Sequence, residues 1–235
     1  MKLPVQWFIG YDSAQTNAAM TCFHTLSKYV DPVDISFVVK SNLEREKLFW
    51  GEHEGSTEFS QTRWLVPCLS GYRGTSVFMD SDFLWLRDPT GMLEYNYPDK
   101  AVTVVQHDLH ECDLGFSKMM GKEQVWYPKK NWSSLMIFNN YHPDCKTLTP
   151  EVVSGSDKPK GYFHQFMWTD SLNPVSIPKE YNTLVGYQGY DFPNPIGVHF
   201  TDGGPWLGGS YEEQPYAQEY FNAERAALFE LNKNV

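Results

Sequence analysis

The chain has 235 residues, 41% of them hydrophobic and 16% aromatic, which is enough apolar material for the core of a folded domain. Its formal net charge is −10, which argues against a nucleic-acid-binding surface, because such a surface needs a basic patch. No apolar run is long enough to span a membrane, and the first residues lead directly into a strand-like segment, so we expect a cytoplasmic protein without a secretory signal.

The first half of the chain predicts alternating strands and helices. Residues 5–9 and 35–39 are short apolar runs typical of buried strands, and a helix with Ser13 as its N-cap is predicted between them. Further helices are predicted over residues 41–47 and 57–69. Because a strand–helix–strand opening places helices on the faces of a parallel sheet, we expect an α/β fold on a single, Rossmann-like, mostly parallel sheet.

The second half of the chain predicts further strands and one long helix. Apolar runs indicate strands over residues 101–105, 133–138 and 196–200, and a helix is predicted over residues 214–231. Residues 110–131 are predicted to be irregular. Since no linker separates these elements, we expect one domain over all 235 residues.

Two aspartates directly follow a strand predicted at residues 75–79. In extended chain, residues i and i+2 point the same way, so Asp80 and Asp82 face one point at the carboxyl edge of the sheet. Two carboxylates so placed repel each other unless a cation lies between them, and their hard oxygens suit Mn²⁺ or Mg²⁺. The alternative is a strand that ends in a solvated acidic turn.

Other polar residues follow the remaining predicted strands. Tyr11 and Asp12 come after the first strand, and Asp108 comes after the strand at residues 101–105. His199 lies at the end of the last strand and is a candidate third metal ligand, because a neutral imidazole can complete a set of oxygen ligands. A purely structural histidine is the alternative. Since ligands bind at the carboxyl edge of an open α/β sheet, we expect these side chains to share one site.

Two further features suit an anionic ligand. Gly203 and Gly204 allow backbone amides to approach an anion closely. Arg63 is able to bind a phosphate through two parallel hydrogen bonds. The alternatives are an ordinary glycine-rich turn and a surface ion pair.

Several segments together resemble one known family. They are the residue ranges 59–65, 78–82, 131–139, 164–165 and 199–206. Over about residues 5–206 the chain resembles a GT-A glycosyltransferase of family 8, which includes glycogenin and bacterial galactosyltransferases, and it is most similar to a bacterial and phage branch. The resemblance implies a GT-A fold, a nucleotide-sugar donor that is UDP-linked, and Mn²⁺ or Mg²⁺ as the metal cofactor.

The resemblance also implies roles for single residues. Asp80 and Asp82, with Ser81 between them, match the Asp-x-Asp motif that binds the metal and the donor. His199 matches the third metal ligand of the family. Arg63 matches an arginine that contacts the donor phosphate or sugar.

Further residues are expected to contact the donor sugar and the nucleobase. Three residues match a strand of the family that lies near the donor sugar: Asn131, Ser133 and Ser134. Asp108 matches a sugar-binding aspartate. We expect the ring of Tyr11 to stack on the base and Asp12 to form a hydrogen bond with it.

The chain departs from the family at two positions. The last motif is one residue shorter, and Gly204 stands where the family has a lysine that contacts the diphosphate. Lys130 or the backbone of Gly203 and Gly204 is the candidate substitute. His164 replaces an aspartate beside Gln165, in a pair that the family places close to the reacting carbon, so the acceptor-side chemistry is left open.

The sequence thus predicts a hexosyltransferase that acts on a hydroxyl of a glycan, lipid or protein. The resemblance implies retention of configuration, and Gln165 and Asp108 are the candidate catalytic residues. A sugar-nucleotide nucleotidyltransferase is one alternative, but residues 10–13 lack its glycine- and arginine-rich loop. A non-catalytic carbohydrate-binding module, with the eight tryptophans as sugar platforms, is the other.

Overall fold

The computed structural model describes residues 4–51, 55–109 and 127–233. Most of the segment predicted to be irregular, residues 110–126, lies outside these ranges. The strands of the described residues are β1 (Gln6–Tyr11), β2 (Ile35–Val39), β3 (Thr75–Met79), β4 (Phe83–Trp85), β5 (Val102–Val104), β6 (Leu135–Asn139), β7 (Thr183–Leu184) and β8 (Gly197–His199). The α-helices of the same ranges are α1 (Thr16–Leu26), α2 (Lys40–Arg45), α3 (Val66–Leu69), α4 (Pro150–Ser154) and α5 (Ala217–Lys233).

The main sheet has five strands in the order β2-β1-β3-β6-β5. β1 pairs in parallel with β2 and with β3, whereas β6 pairs in an antiparallel manner with β3 and with β5. β6 therefore runs against the other strands, and the sheet is mostly parallel. This sheet and its helices confirm the predicted α/β fold class.

A second, three-stranded sheet is not predicted by the sequence. Its order is β4-β8-β7, with β4 antiparallel and β7 parallel to β8. After β3 the chain turns at residues 80–82 and continues into β4, where Phe83 lies opposite His199 of β8. The second sheet therefore brings the end of β8 beside the end of β3.

Side chains that alternate along the strands build an apolar layer on each face of the main sheet. In β1, Trp7 and Ile9 pack with Cys22 and Leu26 of α1, whereas Phe8 belongs to the layer on the opposite face. The helix α5 packs against α1. Among the described residues, no helix combines the length and the apolar character needed to cross a membrane. The two layers hold the strand ends that carry the candidate site.

The helix predicted over residues 57–69 is not continuous. The chain forms turns, then a 3₁₀ helix at Thr62–Leu65, and then the short α3. Pro67 explains this division, because it has no N–H and its ring clashes with the carbonyl of residue i−4 in an α-helix.

The first helix also begins later than predicted. Asp12, and not Ser13, is the cap: its side chain accepts a hydrogen bond from the backbone nitrogen of Ala14, at the start of a 3₁₀ turn. The α-helix itself starts at Thr16. The loop after β1 is therefore one turn longer than the sequence suggests.

Candidate metal centre and donor site

Three predicted metal ligands meet at the carboxyl end of β3. Asp80 follows β3, Asp82 precedes β4, and His199 is the last residue of β8. One ligand atom from each residue lies within 4.8 Å of the other two. We call these three residues the metal group. The structure thus brings together side chains that are far apart in the sequence.

Buried acceptor atoms in the metal group lack hydrogen-bond partners. Oδ1 of Asp82 is 3.2 Å from Nε2 of His199, which is close enough for an ion pair with a protonated ring. The approach lacks hydrogen-bond geometry, however, and neither atom has another partner among the described residues. Because buried polar atoms are normally bonded, an unbonded carboxylate oxygen and an unbonded ring nitrogen that face each other fit a cation between them. Carboxylate oxygens with one imidazole nitrogen suit Mn²⁺ or Mg²⁺.

Arg63 is buried beside Asp80 and is not a surface residue. Its Nη1 donates to Oδ1 of Asp80 at 2.7 Å and to the backbone oxygen of Ser133 at 2.8 Å. The guanidinium also lies over the rings of Phe59 and Phe78, 5.2 and 5.1 Å from their centroids. The alternative of a surface ion pair is therefore excluded, and the buried charge of Arg63 orients one oxygen of the metal group.

The chain that enters β6 carries three predicted donor residues, all of them buried. Asn131 has a left-handed backbone with φ of 63°, and its carbonyl accepts from Oγ of Ser134 at 2.7 Å. Oγ of Ser133 lies 2.9 Å from Nδ1 of His164. Oγ1 of Thr201 donates to Oδ1 of Asn131 at 3.3 Å. These contacts join the predicted donor residues to the loop that follows β8.

Lys130 lies in the same region. It is 3% exposed, and its ammonium is 4.9 Å from the ring centroid of Tyr127. Burial raises the pKa of Tyr127 to about 12, while the charge of Arg63 opposes this rise and that of Asp80 adds to it. Lys130 therefore lies beside Tyr127, whose pKa depends on the charges of Arg63 and Asp80.

The strand end after β5 presents a different side chain from the predicted one. Asp108 is exposed and forms an ion pair with Lys179, with 3.2 Å between Oδ2 and Nζ, and it lies outside the metal group. His107 is buried instead, and its Nδ1 is 2.6 Å from the hydroxyl of Tyr190. Burial lowers the pKa of His107 well below its usual range, and the neighbouring His199 lowers it further.

Gln165 is folded back on its own loop. Its Nε2 lies 2.7 Å from the position that a Cβ on Gly161 would occupy, and its backbone oxygen accepts from Nζ of Lys129 at 2.8 Å. Within the described ranges, no hydrogen bond joins its side chain to the metal group. The catalytic role of this amide stays a prediction.

A cavity of about 240 Å³ lies where the loop after β1 meets the loop after β8. It is lined by residues 13–17 and by Trp206. Two buried atoms of these lining residues, Oε1 of Gln15 and Nε1 of Trp206, have no hydrogen-bond partner in the described part of the chain. The cavity therefore lies between the loop that follows Tyr11 and Asp12 and the loop that carries Gly203 and Gly204.

Tyr11 and Asp12 shape the loop that lines this cavity. Both carboxylate oxygens of Asp12 accept backbone hydrogen bonds, from the nitrogen of Ala14 at 2.9 Å and of Glu58 at 3.1 Å. The hydroxyl of Tyr11 is 2.8 Å from Oγ1 of Thr16. Asp12 thus holds the loop in place, and contact of either side chain with a base stays a prediction.

The glycines after β8 are required by packing within their own loop. Gly203 has φ of +109°, and a Cβ there would lie 2.8 Å from a side-chain carbon of Leu207. A Cβ on Gly204 would meet the ring of Trp206. The amide of Gly203 already donates to the backbone oxygen of Phe200 at 2.8 Å. Packing therefore gives these glycines a reason of its own, and the approach of an anion to their backbone stays a prediction.

Asn182 belongs to the site but lies in no motif. It is fully buried, and its Oδ1 is 2.9 Å from Nδ1 of His199. The ring of His199 also stacks on Phe83, with centroids 4.6 Å apart. The contact between Asn182 and His199 depends on the pairing of β7 with β8, which no local pattern in the sequence indicates.

No protein-family model matches the chain. GlyE of Streptococcus pneumoniae TIGR4, a glycosyltransferase, matches in structure with a TM-score of 0.59 and 12% identity, over 100% of this chain and 64% of GlyE. The galactosyltransferase LgtC, solved with donor and acceptor sugar analogues, matches with a TM-score of 0.57 and 9% identity, over 94% of this chain and 95% of LgtC. The chain therefore has the GT-A glycosyltransferase fold.

Sequence similarity to one relative identifies the family of the chain. Protein CDI of Arabidopsis thaliana is 37% identical to the chain over 213 residues, which cover 88% of this chain and 81% of CDI. The chain belongs to the same family as protein CDI. Because this relative is a plant protein, the expected place in a bacterial and phage branch is not confirmed.

Proposed function

We propose that the chain is a metal-dependent glycosyltransferase that moves a sugar from a nucleotide donor, UDP-linked, to a hydroxyl acceptor. One observation carries the proposal: Asp80, Asp82 and His199 converge at the strand ends of a GT-A fold. Two buried acceptors among them, Oδ1 of Asp82 and Nε2 of His199, fit a cation. GlyE and LgtC are themselves glycosyltransferases, which supports the same class for this chain.

The charges around the metal group suit a diphosphate. Asp80 and Asp82 are two carboxylates, and the buried Arg63 offsets one of their charges. A bound Mn²⁺ or Mg²⁺ would neutralise the charge that develops on the leaving diphosphate. Arg63 holds Asp80 in place through its 2.7 Å hydrogen bond, and the buried Lys130 supplies a second protein cation in this region.

We assign the nucleoside to the cavity between the loops after β1 and β8. Its volume of about 240 Å³ accommodates part of a nucleotide, and residues 13–17 line it together with Trp206. Gln15 and Trp206, which line the cavity from its two loops, would contact the base or the ribose. Tyr11 and Asp12 precede this lining and are proposed to contact the base. The diphosphate would then lie on the metal group, with the sugar toward the start of β6.

The acceptor is proposed to bind on the loop that carries His164 and Gln165. In a transfer with retention, the acceptor oxygen bonds to the anomeric carbon as the bond from that carbon to the diphosphate breaks. The hydroxyl proton passes to the departing phosphate oxygen. Gln165 would assist on the acceptor side after its amide rotates away from Gly161, and Asp108 would contact the sugar after its ion pair with Lys179 opens.

The test is incubation of the chain with a panel of UDP-sugars and Mn²⁺. Slow release of UDP is the expected result, and Asp82→Asn should abolish it. Asp157→Asn, which changes an exposed aspartate outside the site, is the matched control. Formation of pyrophosphate from a nucleoside triphosphate and a sugar phosphate would indicate a nucleotidyltransferase instead. No turnover of any nucleotide sugar would contradict the proposal and favour a binding module.

A further inference from the structure

The imidazole of His199 is held between two oxygen atoms. Its Nδ1 is 2.9 Å from Oδ1 of Asn182, and its Nε2 is 3.2 Å from Oδ1 of Asp82. The ring is 1% exposed and stacks on Phe83, with an interplanar angle of 16°. Because a buried, stacked ring does not turn freely, its neighbours decide which nitrogen carries the hydrogen.

The hydrogen bonds around Asn182 determine the direction of its amide. Oγ of Ser134 donates its one hydrogen to the backbone oxygen of Asn131 at 2.7 Å, so it must act as the acceptor toward Asn182. The group of Asn182 that faces Ser134, at 2.9 Å, is therefore the NH₂ group. Oδ1 of Asn182 consequently faces His199, and this acceptor requires a hydrogen on Nδ1.

We propose that Asn182 is a positioning residue that holds His199 as the Nδ1–H tautomer and directs the lone pair of Nε2 at the metal group. The opposite tautomer would set a second acceptor against Oδ1 of Asn182 in a buried site, which is costly. Partners of this kind commonly orient the histidines that bind metals. The nature of the cation rests on the proposed function, whereas the tautomer does not depend on it.

Ser134 also positions Asp80, another member of the metal group. Its backbone oxygen accepts from the nitrogen of Asp80 at 2.9 Å, while its Oγ accepts from the amide of Asn182. Asp80 and His199 are therefore both positioned from one residue at the start of β6. Asn182 also links the two sheets, because β6 and β8 belong to different ones.

The direct test is nitrogen-15 NMR of the histidine side chains in the metal-free chain, at mildly alkaline pH. His199→Asn identifies the signal of His199 among those of the seven histidines. Wild type should carry hydrogen on Nδ1 of His199 and none on Nε2. Asn182→Asp should keep this tautomer, because an aspartate oxygen still accepts from Nδ1, whereas Asn182→Ala should lose it.

The affinity for Mn²⁺ gives an independent readout. Asn182→Ala should weaken Mn²⁺ binding by about 10- to 100-fold, the usual effect of removing such a partner, and Asn182→Asp should restore most of it. Asn140→Ala is the matched control. Asn140 is also fully buried, but it accepts from Ser76 and donates to the backbone of Arg73, near the opposite end of β3. This control should lower stability and leave the tautomer and the Mn²⁺ affinity unchanged.

A wild-type chain with the hydrogen on Nε2 of His199 would overturn the proposal. Asn182→Ala with an unchanged tautomer and an unchanged Mn²⁺ affinity would also overturn it. A wild-type chain with the Nδ1–H tautomer that binds no Mn²⁺ would support the positioning of His199 by Asn182. The same result would contradict the proposed metal-dependent function. The tautomer is read from the wild-type spectrum, so a failure of Asn182→Ala to fold leaves this test intact.

Discussion

Main-chain pairing places Asp82 and His199 side by side. Phe83 lies opposite His199 in the register of β4 against β8, and the nitrogen of Phe200 donates to the backbone oxygen of Asp82 at 3.1 Å. This pairing brings Oδ1 of Asp82 to 3.2 Å from Nε2 of His199. The geometry of the metal group is therefore a property of the second sheet as much as of the main one.

Asp82→Asn removes one charged ligand and preserves the size of the side chain. We expect it to abolish Mn²⁺-dependent binding of UDP and to leave the fold intact, because a neutral amide is a weaker ligand for a hard cation. Isothermal calorimetry of UDP in the presence of Mn²⁺ measures the effect, with Asp157→Asn as the control. Unchanged affinity in Asp82→Asn would exclude Asp82 as a ligand.

Arg63→Lys keeps the charge beside Asp80 and loses the planar guanidinium. Nη1 of Arg63 donates to Asp80 and to the backbone of Ser133, and an ammonium group does not reproduce this geometry. We expect UDP affinity to fall by about tenfold and the free energy of unfolding to fall by about 1–3 kcal/mol. Calorimetry and urea unfolding test this against Arg45→Lys, a change at an exposed arginine. Equal values for the two variants would refute the buried role of Arg63.

Gly204→Ala should weaken UDP binding because the added Cβ would meet the ring of Trp206 and displace the loop after β8. If this contact is the cause, the loss should be much smaller when Gly204→Ala is combined with Trp206→Leu. We expect a coupling free energy of about 1 kcal/mol from calorimetry of the four chains. Equal losses in both backgrounds would instead support a close approach of the backbone to a phosphate.

The stability of the fold should depend on pH through His107. Burial holds its folded-state pKa well below 6.5, so near that pH only the unfolded chain takes up the proton. The contribution of the neutral His107 to the free energy of unfolding is therefore fully present above the unfolded-state pKa. It is lost as the pH falls from there toward the folded-state pKa, by up to about 1.4 kcal/mol per pH unit. Urea unfolding of wild type and His107→Gln, at about pH 7.5 and about pH 5.5, isolates this residue. The expectation would be contradicted if, between these two pH values, the free energy of unfolding of wild type fell no more than that of His107→Gln.

The metal group could be predicted because its residues lie at strand ends. Asp80 follows the buried β3 and His199 is the last residue of β8, so the rule that ligands bind at strand ends selects them. The expected geometry was wrong, however, because the chain turns at residues 80–82 and His199 belongs to the second sheet. The same rule is insufficient at the strand predicted over residues 101–105, after which the sequence indicates Asp108 whereas the buried side chain is His107. Neighbouring residues of an extended chain face opposite sides, and a shift of one residue exchanges them.

Asn182 and the second sheet could not be predicted, for a related reason. β4 and β8 have three residues each and β7 has two, which is too short for a period of two to be distinguished from chance. The contact between Asn182 and His199 exists only after these short strands have paired. Local propensity also failed at the helix predicted before β3, where Pro67 divides the segment.

The central claim is that a divalent ion on Asp80, Asp82 and His199 holds the donor diphosphate. The affinity of wild type for UDP, measured by calorimetry with Mn²⁺ and then with excess chelator, tests it most directly. We predict a loss of at least about 100-fold on chelation, equivalent to about 2.7 kcal/mol, because Arg63 is already bonded to Asp80. An affinity that stays nearly unchanged would contradict the claim and would indicate that a protein cation, with Lys130 the first candidate, holds the phosphates.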